Sequence, residues 1–456
     1  MIGIFIIVGF LVFAGLMATG RLPALLALPL MATYIALVSG MTALVYLGDV
    51  VLVGAMKLSG AMAVVIFGAM FARVIMRTGI ADGIIRVAAE FAGDRPRMIA
   101  LLMVFATAFV FLGVSGLGAV IMVGSIALPI MTGAGIKPVD TAALMLFALG
   151  LGLSANTASY GVFIGIFGGE AILPYYLPAF IIELAAILIY IAIYIKSPDG
   201  ANGGYGKLFA SIMQGIVHLP MDICHAIASA LHDDDSIVKK RRAVNTAAYL
   251  APLIPIAVVF GASYAIGFGK AADGKIDALA AAIVGFIIAS LYASLMTRPR
   301  QLVQVMTGAI VDGIKDVAGV LFLFMGIGMV VTAVMHPEVA AVLDPVMRLA
   351  LPSSRVMLLA FFAVLAPLAL YRGPLNMYGM GAGIAVLLMS LGTYEPVLLA
   401  GIFRATSYVQ EADPTNSQNV WTAGFVGAET SDVLRRMLPF SWGMCAVMLA
   451  YVMVFA

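Results

Sequence analysis

Residues 397–421 read VLLAGIFRATSYVQEADPTNSQNVW, an apolar run that carries Arg404 and Glu411 and then breaks at Asp413-Pro414. The run is long enough to cross a bilayer, which takes about 20 apolar residues. An Asp at a helix N-cap followed by Pro at N1 is a strong helix start. A new helix is therefore expected to begin near mid-membrane. A helix start leaves about four backbone N–H groups without an internal partner. Lipid cannot satisfy them, so irregular backbone at that depth survives only around a cavity.

The surrounding chain is made for lipid. Of 456 residues, 63% are hydrophobic and 11% charged, with a mean hydropathy of +1.11, whereas a soluble domain carries about 25% charged residues. The net charge of +2 gives no sign of a nucleic-acid partner. Cys224 and Cys445 lack metal-ligand spacing and read as small apolar packing residues. The chain contains no phosphate-binding G-x-x-x-x-G-K-[ST] loop, no C-x-x-C-H, and no His pair at helical spacing in an apolar run. No nucleophile–base pair or metal cluster falls in the spans, so neither an enzyme nor a cofactor is expected. Met1–Gly20 lacks a basic leader and reads as a first membrane helix rather than a cleaved signal.

The apolar stretches predict an all-α polytopic membrane protein. Most are one crossing long, Val50–Met76 among the longest of these. Ile99–Met131 and Val356–Leu391 are too long for one crossing and are broken by glycine, so each is expected to be a re-entrant helical hairpin. The hydrophilic loop 196–245 carries His218, His225 and His232 at a seven-residue spacing, the acidic triplet Asp233–Asp235, and the basic cluster Lys239–Arg242. It reads as a solvated or interfacial segment. Basic residues mark the cytoplasmic side. That places this loop inside and both termini outside, with Arg348 and Arg355 as exceptions.

The features repeat. A long helix, an interfacial segment, a glycine-broken hairpin and a helix with a polar interruption occur once after residue 54 and again after residue 304. Ser115-Gly116 corresponds to Arg372-Gly373 at the hairpin tips. Ser154-Ala155-Asn156-Thr157 corresponds to Pro414-Thr415-Asn416-Ser417 at the interruptions. The deduced sidedness points the hairpins in opposite directions, making two inverted repeats. Paired interrupted helices in inverted repeats mark a carrier's binding site. The expected division is scaffold helices 1–53, a first repeat 54–195, the loop 196–246, scaffold helices 247–303 and a second repeat 304–456.

The chemistry of the breaks favours an anion and a cation together. Half-helix N-termini carry about +0.5 charge and attract anions, and Gly373-Pro374 is expected to start a helix much as Asp413-Pro414 does. Asn, Thr and Ser oxygens suit a hard cation. An arginine inside a membrane costs roughly 2.5–3.5 kcal/mol on insertion scales and needs a partner. Arg372 is expected to meet a substrate carboxylate. Arg404 either does the same or pairs internally with Glu411 or Asp413. Substrate binding is thus expected from Ser115, Gly116, Ser154, Asn156, Thr157, Arg372, Gly373, Asn376, Thr415, Asn416 and Ser417. The coupling ion, H⁺ or Na⁺, is expected at Asn156, Glu411 or Asp413. Gln410, Gln418 and Asn419 offer further polar contacts, and Glu183 stands alone in its span.

With these elements in this order, the chain resembles the ion transporter superfamily, and within it the gluconate permease and citrate symporter families. Divalent anion–sodium symporters of that superfamily carry Ser-Asn-Thr at their hairpin tips. Here the tips read Ser-Gly and Arg-Gly, and the Asn residues fall at the interruptions. The resemblance implies a homodimer with a scaffold of Ile2–Val53 and Ala247–Met296 and an elevator-like transport unit built from hairpins and broken helices. The expected function is secondary transport of a small organic anion, such as a carboxylate or sugar acid, across the cell inner membrane. Two alternatives remain open: a cation/proton antiporter, and the large membrane subunit of a binding-protein-dependent carrier.

Overall fold

The computed structural model describes residues 2–18, 21–92, 95–195, 246–267, 276–350, 352, 354–378, 381–390 and 392–456. The loop 196–245, with Cys224, the three histidines, the acidic triplet and the basic cluster, lies outside the described residues.

Among the described residues the chain is helical, with no strand. The first half runs through α1 (Ile2–Ala18), α2 (Ala24–Val38) and the long α3 (Ala43–Thr78). Then come α4 (Ile80–Ala92), the hairpin of α5 (Pro96–Phe111) and α6 (Leu117–Gly133), α7 (Pro138–Leu153), α8 (Thr157–Phe167) and α9 (Gly169–Tyr194). The second half runs through α10 (Ile254–Ala265), α11 (Ala278–Thr297), α12 (Leu302–Val334) and α13 (Pro337–Ala350). A second hairpin follows, α14 (Arg355–Leu365) continuing into a 3₁₀ turn, Ala366–Arg372, and returning as α15 (Gly381–Ser390). The chain closes with α16 (Pro396–Glu411), α17 (Ser417–Val426) and α18 (Thr430–Phe455).

Local sequence explains the boundaries. Pro96, Pro138 and Pro396 occupy the first helical position of α5, α7 and α16, where a missing N–H costs nothing. The Asp277 carboxylate accepts from Leu279 N at 2.7 Å and caps α11. α3 starts at Ala43, earlier than the apolar run at Val50 predicts, because a π-helical stretch, Tyr46–Val53, carries Asp49 without breaking the rod. α4 turns Ile80, Ile84 and Ile85 inward and leaves Arg86 exposed, as an interfacial helix should.

Six helices are long and apolar enough to cross a membrane among the described residues, or seven if α7 and α8, bent by 58° at their break, form one span. The outer surface is correspondingly apolar: Leu44, Leu177, Val303, Val364 and Val454 are among its exposed side chains. Unmet apolar surface on this scale marks lipid as the solvent. This is a multi-pass membrane protein.

Two packing groups emerge. α3 and α12 lie against each other and against α2 and α11. A Cβ on Gly313 of α12 would sit 2.8 Å from Met70 N, so the backbones touch where only glycine fits. Arg73 pairs with Asp316 and Arg77 with Asp312 across the same seam. The second group holds both hairpins, both broken helices, α9 and α18. Within it α17 packs on α7, and α8 packs on α16. Each second half-helix therefore rests on the first half of the other broken helix, and the two breaks come face to face.

Candidate functional site

The breaks surround a cavity of about 410 Å³, within the range of small-molecule sites. One wall belongs to the first packing group, with Leu25 of α2 and Asp316 and Leu323 of α12. The other is formed by α7, α8, the second hairpin, α16 and α17. The cavity thus lies along the seam between the two groups.

Arg404 dominates it. Its side chain is 4% exposed. Nη2 donates to Ser154 Oγ at 2.7 Å, Nε donates to Tyr160 Oη at 3.2 Å, and the guanidinium lies over the Tyr408 ring, 4.5 Å from its centroid. Tyr408 is itself fixed, donating to Ala179 O at 2.7 Å. Nη1 makes no hydrogen bond to the described residues. Arg404 forms no direct ion pair with Glu411 or Asp413. The contact to an acid runs through a hydroxyl instead, because Ser154 Oγ donates to Glu183 Oε2. Glu183 is fully buried, and its other oxygen, Oε1, faces Glu411 across Gly150.

The second hairpin closes one end. Tyr371 and Arg372 both adopt the left-handed region, with φ of 55° and 53°, which costs a non-glycine residue about 1–2 kcal/mol. Asp413 stabilises this turn by accepting from Arg372 N at 2.8 Å. The Arg372 side chain is exposed and lines the cavity.

Of the residues expected at the site, Ser154, Arg372, Asn376, Asn416 and Glu411 line the cavity. The others sit around it and hold its frame. Asn156 is the N-cap of α8, accepting from Ala158 N at 2.8 Å and Ser159 N at 3.2 Å. Its amide donates to Phe111 O and Val114 O at the first hairpin tip. Both ends of that side chain are thereby committed to backbone. Ser115 and Gly116 form the tip itself, Gly116 with φ +95°. Thr157 is buried just inside α8. Gly373 is packed against Leu370 O in the second turn. Thr415 donates to Asp413 Oδ1 from both N and Oγ1, at 2.9 and 2.7 Å, and Ser417 is exposed at the start of α17.

Two expected helix starts are displaced. α17 begins at Ser417 rather than Pro414, because Asp413 is used up by the turn and by the hairpin tip. α15 begins at Gly381 rather than Pro374. Asn376 instead closes a turn, donating to Ala369 O at 3.1 Å and accepting from Tyr378 N at 2.9 Å. The α17 start keeps the expected electrostatics, since Asn416, its N-cap, gives no side-chain cap bond. Asn416 donates to Gln410 O at 2.9 Å instead, and Asn419 donates to Glu411 O at 2.7 Å.

Sequence reasoning did not single out Tyr160 and Gly150. Tyr160 lies in an apolar run in which an aromatic carries no signal. Gly150 offered a faint one, as half of the Gly150-Leu151-Gly152 pair in the middle of a span.

No protein-family model matches the chain, and no curated protein matches it. A solved structure does: the YdaH transporter of Alcanivorax borkumensis, described as having an unusual topology. Its TM-score is 0.56 at 15% identity, over 91% of this chain and 89% of that one. At this identity the likeness is one of fold, and it extends over nearly the full length of both chains.

Proposed function

We propose that this chain is a secondary active transporter for a small organic anion, a carboxylate or sugar acid of the kind handled by the gluconate and citrate carriers it resembles, driven by H⁺ or Na⁺. One observation carries the reading. A buried arginine with no direct acidic partner among the described residues opens into a cavity between two broken helices. Guanidinium binds a carboxylate through two parallel hydrogen bonds, and the uncapped start of α17 adds backbone N–H donors on the same cavity. The fold likeness to a protein described as a transporter supports the same class. An antiporter for cations would leave its central acids without a neighbouring guanidinium, whereas Arg404 faces both Glu183 and Glu411 here.

The cavity's position on the seam suits an elevator-like movement of the second packing group past the first. That movement, a homodimeric assembly and an inner-membrane location belong to the same proposal. The test is uptake of labelled carboxylates and sugar acids into proteoliposomes with Na⁺ and pH gradients set separately. Saturable uptake of at least one anion, accelerated by one gradient, is the expected result. A panel in which every anion stays at the empty-liposome level while a cation exchanges for protons would overturn it.

A further inference from the structure

Glu183 on α9 and Glu411 at the end of α16 meet over Gly150 of α7. A Cβ at Gly150 would fall against Glu183 Oε1 and 2.7 Å from Glu411 Oε2. These two oxygens, one from each acid, meet no donor among the described residues. The carboxyls face each other inside the protein, and Glu183 has 0% of its surface exposed. Two bare carboxylates in such a place repel strongly, and a hydrogen bond between them requires a proton on one. Among the described residues, the other charged and titratable groups facing the pair are Arg404 and Tyr408 from α16 and, towards Glu183, Tyr160 from α8. Ser154, at the end of α7, bridges Arg404 to Glu183.

We propose that Glu183 and Glu411 form one proton-binding unit that takes up a proton when an anion occupies Arg404, making H⁺ the coupling ion. This rests on the anion reading of Arg404 given above. The charge count sets the stoichiometry. With one shared proton the pair carries one negative charge and balances the guanidinium. A monovalent anion arriving at Arg404 leaves the cluster with one excess negative charge. A second proton, taken from water in the cavity onto a carboxylate oxygen, restores neutrality. When the anion leaves on the other side, that O–H bond breaks and the proton returns to water. Glu411 lines the cavity and is the entry point; Glu183 is the buried partner. A substrate anion and a proton thus bind together and leave together.

Two measurements test this. Infrared spectroscopy of the purified, anion-free protein should show a protonated carboxyl that persists at neutral pH and disappears in Glu183→Gln and in Glu411→Gln. This needs no substrate, and the wild-type band alone is informative if a variant misfolds. Gluconate, as the probe anion, should then bind with a dissociation constant that rises about tenfold per pH unit across the neutral range, as uptake of one proton demands. The double variant Glu183→Gln/Glu411→Gln, which leaves no carboxyl to protonate, should flatten the dependence, whereas either single variant keeps one. A missing band, or a gluconate affinity whose pH dependence is unaltered in the double variant, would overturn the inference. A band that responds to Na⁺ by vanishing would also overturn it, since a cation would then replace the proton. If the band is present but no anion in the uptake panel is transported, the proton unit stands and the transport reading fails.

Discussion

Arg404 Nη2 donates to Ser154 Oγ at 2.7 Å across 250 positions of sequence. Ser154 ends the first half of one broken helix, and Arg404 lies in the first half of the other. One bond thus joins the two interruptions, and the same hydroxyl hands the contact on to Glu183. The arginine is held in place by neutral groups and by a ring, which leaves its charge directed at the cavity.

Ser154→Ala removes the bridge and leaves a buried guanidinium nitrogen facing a buried carboxylate oxygen. Loss of a buried partner costs about 1–3 kcal/mol. Thermal melting of the purified variant should fall accordingly, and any anion uptake should fall with it. A melting curve identical to wild type would show that the bridge contributes nothing.

Gly150→Ala should cost about 1 kcal/mol, at the low end for added bulk in a packed interior, because what must move is the tips of two glutamates and not backbone. Its effect on the carboxyl pair should be larger. Separated carboxyls no longer share a proton, so the pH dependence of gluconate binding should flatten. Melting together with titration at several pH values checks both halves. A severe loss of stability with an unchanged pH dependence would be the wrong outcome.

Asn156→Leu should act chiefly on folding. The side chain caps α8 and also binds two carbonyls at the first hairpin tip. A lost cap costs about 1 kcal/mol, and the orphaned buried groups add about 1–3 kcal/mol. The variant should melt earlier and yield less protein. A variant as stable as wild type would contradict the framing role.

Arg372→Gly separates strain from function. Glycine adopts the left-handed region freely, which recovers about 1–2 kcal/mol against an entropic loss of about 0.5–1 kcal/mol. Stability should hold or rise slightly while uptake falls at least tenfold. Normal uptake would remove Arg372 from the site.

The fold was legible because its signals are local. A glycine in each long apolar stretch marks both hairpins, and Asn156 and Asn416 fall at the two interruptions as expected. The exact starts were less legible. Asp413-Pro414 has the chemistry of a cap, but the Asp413 carboxylate is claimed by Arg372 N, a partner that no local pattern shows. The site was legible in kind and less so in detail. Arg372 is conspicuous in sequence beside Gly373-Pro374, whereas the Ser154 and Tyr160 partners that fix Arg404 come from the other repeat. Glu183 looked solitary for the same reason, since Glu411 reaches it only through the packing of α16 on α7. Contacts of this sort are made by the crossing of the two broken helices, and nothing near either residue in sequence encodes them.

The central claim is that Arg404 holds the carboxylate of the transported anion, and Arg404→Lys tests it most directly. Lysine keeps the charge but cannot reproduce the planar fork. Calorimetric titration of purified wild type and Arg404→Lys, with an anion that the uptake panel identifies, should show binding at least tenfold weaker in the variant, about 1.4 kcal/mol. Equal dissociation constants for the two proteins would contradict the account.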